Sequence, residues 1–90
     1  MTTASMRLTA ATPVPREIKA FIEAIGGMPS KIKSDIPEAG LFQYREMKGH
    51  ALVWNEDEFD AIRAALFRFK NLTVALSTEN NQLVFTFRVN

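Results

Sequence analysis

The sequence predicts an α+β domain. The expected architecture is a two-layer sandwich in αββαββ order, a four-stranded antiparallel sheet with two helices on one face. Three observations predict it. Two stretches, residues 18–25 and 59–69, repeat apolar side chains at helical spacing, and several short stretches alternate apolar with polar residues as half-buried strands do. Turn-forming residues, Gly49 and the pair Asn80-Asn81, stand where two hairpins would need them.

Residues 1–12 are small and polar without an apolar period, and are expected to be a flexible arm ahead of a single domain over 13–90. Pro13 and Pro15 introduce the first helix, where a missing N–H costs nothing. Ile18, Phe21, Ile22 and Ile25 fall at i, i+3, i+4 and i+7 on its buried side. Gly26-Gly27 supplies a left-handed stop, followed by Pro29. Residues 28–40 have little period and read as a connection that Ile32 and Ile36 tack down, with room for one helical turn. A loop of that length in a small domain is often functional.

Residues 41–46 and 50–54 read as a hairpin around Met47-Lys48-Gly49, pairing Phe42 with Trp54, Tyr44 with Leu52 and Glu46 with His50. The central helix follows. Asn55 and Glu58 approximate a capping box, Trp54 and Phe59 a hydrophobic staple. Glu56, Asp57 and Glu58 lie at the positive end of the helix dipole, with Arg68 and Lys70 at the negative end. Phe59, Ile62, Leu66 and Phe69 form the expected buried stripe with Ala65 beside them. Phe67 falls outside it, either covered by a neighbouring segment or exposed among cations.

The last hairpin joins residues 72–78 to residues 83–89 through a two-residue turn at Asn80-Asn81. It pairs Thr78 with Leu83, Leu76 with Phe85, Val74 with Phe87 and Leu72 with Val89. Turn chemistry and hydrophobic alternation give this register independently. The apolar last strand is expected inside the sheet, in strand order 1-2-4-3, which leaves 72–78 at an edge.

Composition narrows function by exclusion. There is no cysteine, so disulfides, thiolate catalysis and cysteine-ligated zinc are ruled out, and a reducing, cytoplasmic setting fits. No apolar run is long enough to span a membrane, and residues 1–12 hold one arginine and no apolar block of signal-peptide length, so export is not expected. The single histidine, His50, has only Glu46 as an expected neighbour, too little for a catalytic set or a metal site. No dinucleotide fingerprint or RNA-binding signature occurs. The expectation is therefore a protein that is not an enzyme and takes no cofactor, metal or small-molecule substrate.

Two readings remain. The first is a protein-interaction module, a regulator or inhibitor of a larger machine or a homodimer. Its contacts would be Val84, Ala75 and Val53 on the outer sheet face, with Phe67 and the 72–78 edge as further routes. A charge at Val84 would then weaken assembly and leave the fold intact. The second is a nucleic-acid-binding module using Lys31, Lys33, Arg45, Lys48, Arg63 and Arg88 on a basic sheet face and the 28–40 loop. The net charge is only +1, from 11 Lys and Arg against 10 Asp and Glu. Four of those acids are gathered at one helix end, so the rest of the chain is basic. The aromatics Phe42, Tyr44, Phe85 and Phe87 alternate to the inside, which leaves that face no platform for stacked bases.

Overall fold

The computed structural model describes residues 12–46, 56–80 and 82–90. Helix α1 spans Arg16–Ala24. Pro15 stands at its cap, where its carbonyl accepts the N–H groups of Ile18 and Lys19 at 3.1 and 3.2 Å. Ile18, Phe21 and Ile22 are fully buried. Gly26 takes φ +82°, and the N–H of Gly27 returns to the carbonyl of Ile22 at 2.8 Å, which ends the helix as the glycine pair predicts.

A 3-10 turn, Pro29–Lys31, follows, and then a two-residue strand β1, Lys33–Ser34. Strand β2 is Phe42–Glu46, α2 is Glu56–Arg68, β3 is Leu72–Glu79 and β4 is Gln82–Val89. All strand pairs are antiparallel, in the sheet order β1-β2-β4-β3. The fold class is the one expected: two helices and a four-stranded antiparallel sheet.

The expected strand over 41–46 forms as β2, but the strand beside it in the first half is the unexpected Lys33–Ser34. Lys33-Ser34 pairs with Phe42-Gln43 along one side of β2, and β4 pairs along the other, Phe42 with Phe87 and Tyr44 with Phe85. Phe42 therefore has Ser34 and Phe87 as its two neighbours, and no side is left for the expected pairing with Trp54. Met47, Lys48, Gly49, His50 and the 50–54 strand lie outside the described residues. So do Asn55 and Trp54, and with them the capping box and staple.

The loop between β1 and β2 is held by Asp35 rather than by Ile36, which is exposed. Asp35 adopts φ +59°, a conformation that aspartate tolerates better than most residues. Its backbone N–H donates to the Leu41 carbonyl at 2.7 Å. Its carboxylate accepts from the Gly40 N–H at 3.0 Å and from the Thr12 hydroxyl at 2.6 Å. These hydrogen bonds to the charged form hold the Asp35 carboxyl below the usual aspartate range, with Thr12 the larger cause and Gly40 the next. Ile32 is buried, as expected.

The last hairpin has the expected register throughout, with Asn80 at φ +51° in its turn. Phe42, Tyr44, Leu72, Leu83, Phe85 and Phe87 meet Ile18, Phe21 and Ile22 of α1 and Ile62 and Ala65 of α2 in one core. Phe21 is its centre, with ring centroids 5.9 Å from Phe69, 6.1 Å from Phe85 and 5.1 Å from Phe87. The stripe on α2 is rotated from the expected one. Ile62 and Ala65 are buried and Phe69 partly so, whereas Phe59 is 42% and Leu66 38% exposed. The small Ala65, not Leu66, lies against the sheet, which lets the helix approach closely and turns the larger flank outward.

Candidate functional site

Alternation along the strands sorts the sheet into two faces. The core face carries the aromatic residues. The opposite face carries Lys33 of β1, Gln43 and Arg45 of β2, Val84, Thr86 and Arg88 of β4, and Thr73, Ala75 and Ser77 of β3. The registers set Val84 between Arg45 and Ser77, Thr86 between Gln43 and Ala75, and Arg88 beside Thr73. Among the described residues this face is polar and basic.

Val84, expected as a contact, offers little surface for one. It lies on this outer face but is only 4% exposed and takes no part in the main core cluster. Arg45 and Glu79 form an ion pair at 2.7 Å. Since β2 and β3 flank β4, this pair reaches across the central strand beside Val84 and shields it. A lysine at Val84 would be forced under that ion pair and next to Arg45, so a cost to the fold is expected from such a change. Ala75 is exposed, and Val53 lies outside the described residues.

Two features stand out on the surface. One is a pocket of about 260 Å³ at the β1 side of the outer face, lined by Ser30, Lys31, Ile32, Lys33, Gln43 and Arg45. The 3-10 turn supplies Lys31, the short strand after it supplies Lys33, and the adjoining strand supplies Arg45. Three of the expected basic residues are thus brought to one concavity. Arg88 is elsewhere on the same face, in a shallower depression with Leu41, Thr73, Ala75 and Thr86. Arg63 is separate from both, on α2, and is paired with Asp60. Lys48 lies outside the described residues.

The second feature is the β3 edge, with exposed apolar residues on it and on α2. β3 is a terminal strand of the sheet and runs for eight residues. Leu76 on it is 42% exposed. Phe67 is 76% exposed, with the Lys70 ammonium 5.0 Å from its ring centroid. The covered alternative for Phe67 is therefore excluded, and its ring is available together with a cation. Leu66 and Leu76 were not singled out as surface contacts by the sequence, because helical and strand periodicity both assign them to the buried side.

The described residues contain no group of three or more histidine or acidic side chains able to hold a metal ion, and no helix among them is long and apolar enough to cross a membrane. No protein-family model matches the chain, and no curated protein or solved structure is similar to it.

Proposed function

We propose that the protein is a non-enzymatic interaction module that associates through the open edge of β3, with a second copy of the same chain as its partner. The observation that carries this reading is an eight-residue edge strand beside the exposed Leu76. An edge of this kind presents a row of backbone donors and acceptors, and proteins that avoid pairing protect it with charge, proline or a bulge. From Leu72 to Thr78 there is no charged residue and no proline.

The strand is also self-complementary. Antiparallel pairing about a two-fold axis at Ala75 sets Val74 of one chain against Leu76 of the other, and Thr73 against Ser77. Apolar residues then meet on the core face and hydroxyls on the outer face. β2 and β3 run parallel on either side of β4 and are joined through α2. A regulator or inhibitor of a larger assembly would engage a partner's strand by the same edge.

Light scattering over a concentration series tests the proposal. A dimer is expected, converted to monomer by Leu76→Lys, which places a protective charge on the edge. A wild-type chain that stays monomeric at high concentration, or a folded Leu76→Lys chain that still dimerises, would overturn it.

A further inference from the structure

We propose that the pocket between the 3-10 turn, β1 and β2 binds a phosphate group, held by Lys31, Lys33 and Arg45 with Ser30 and Gln43 as neutral partners. This goes beyond the β3-edge reading and does not rest on it. Charge comes first. Three cations line one concavity, and no acidic residue lines it. Neither Lys31 nor Lys33 has a carboxylate partner among the described residues. Lys31 and Lys33 thus stand beside Arg45 with no counter-charge of their own among the described residues, and a bound anion relieves that repulsion.

The donors are of the kinds an oxyanion takes. Two ammonium groups supply point charge, a guanidinium supplies a planar fork, and a serine hydroxyl and an amide supply neutral hydrogen bonds. Size sets the ligand class. At about 260 Å³ the concavity is smaller than the roughly 300–1,000 Å³ typical of sites for drug-sized molecules. It accommodates a charged group with a short attachment rather than a whole cofactor. A phosphate ester fits that description, whether on a free nucleotide or in the backbone of a single-stranded nucleic acid. The buried positions of Phe42, Tyr44, Phe85 and Phe87 deny the outer face an aromatic stack, so recognition falls to the phosphate and not to the base.

Glu79 makes the proposal sharper. It occupies Arg45 at 2.7 Å from outside the pocket, and so competes with any anion for that guanidinium. Removing the Glu79 carboxylate should strengthen binding, whereas removing a pocket cation should weaken it. A purely structural cluster would show neither change.

The test is an NMR titration of the full chain with inorganic phosphate, and separately with a mononucleotide and a short single-stranded oligonucleotide, against chloride at equal ionic strength. Shifts concentrated at residues 30–33, 43 and 45 are expected. Lys33→Gln, a change at an exposed side chain, should weaken binding about tenfold, as loss of a charged hydrogen bond does, and Glu79→Gln should tighten it. Oligonucleotide binding that is tighter than nucleotide binding, and falls steeply with salt, would assign the phosphate to a nucleic-acid backbone. Equal affinity would assign it to a free ester. Shifts matched by chloride, or unchanged in both variants, would overturn the proposal.

Discussion

The Tyr44 hydroxyl accepts the backbone N–H of Met28 at 3.0 Å, fastening the exit of α1 to the middle of β2. The approach is close enough to dictate the residue beside it. A Cβ on Gly27 would lie 2.5 Å from the Tyr44 oxygen and 2.7 Å from the Ile22 side chain. Tyr44→Phe is expected to cost about 0.5–1.5 kcal/mol through the lost hydrogen bond. Gly27→Ala is expected to cost about 1–3 kcal/mol through overpacking. In the double variant the two costs should not add, because removing the hydroxyl relieves part of the clash and leaves Ile22 in place. Urea denaturation of the three variants measures this.

Phe21 is fully buried and packs against the rings of Phe69, Phe85 and Phe87. Phe21→Ala should destabilise the chain by about 3–5 kcal/mol, a large share of the roughly 5–15 kcal/mol that holds a typical domain folded. Broad loss of amide dispersion in NMR spectra at room temperature is the expected outcome. A cooperative thermal transition close to that of the wild type would contradict the central place given to this ring.

Val84 and Ser77 are neighbours on the outer face with opposite burial. Val84→Lys should lower stability by about 1–3 kcal/mol, while Ser77→Lys should stay within about 0.5 kcal/mol of wild type. Thermal denaturation distinguishes them. Equal small effects would mean that the Arg45–Glu79 pair gives Val84 no real cover.

Asp35 gives the 35–41 loop a pH dependence. Its carboxyl is lowered in the folded chain, so the folded state holds fewer protons than the unfolded one between the two pKa values. The resulting stabilisation is fully present above the ordinary aspartate value and is lost as pH falls through the lowered one. Protection of the Gly40 amide, measured as its exchange rate relative to an unstructured amide at the same pH, should therefore fall in that acidic window. Asp35→Asn retains a side chain that accepts the positive φ and an oxygen for Gly40, and should remove the pH dependence while preserving the loop.

The parts of the fold that were legible in the sequence are those where two local signals agree. In the β3–β4 hairpin, alternation and the asparagine turn demand the same register, and every expected pair forms. β1 was not legible, because Lys33-Ser34 is too short and too polar to show a period. Its position depends on β2 and on the hydrogen bonds of Asp35 and Thr12, which join residues far apart in the chain. Periodicity found the apolar side of α2 but not its exact rotation, since Leu66 and Ala65 are adjacent and tertiary packing chose the smaller. The face of Val84 was readable and its cover was not, because an ion pair spanning β4 leaves no local trace. Lys31 and Lys33 were visible as a basic loop and Arg45 as a sheet residue. Only the pairing of β1 with β2 makes them neighbours.

β4 joins β2 to β3, yet it is synthesised after every other element of the sheet. A ribosome has therefore made both helices and the other three strands before the strand that unites them emerges. Until then β2 and β3 have no common neighbour, and Phe21 lacks two of its three aromatic contacts, Phe85 and Phe87. Folding of this sheet accordingly waits for β4. A released chain truncated just short of residue 83 should be sensitive to protease rather than hold a folded N-terminal half.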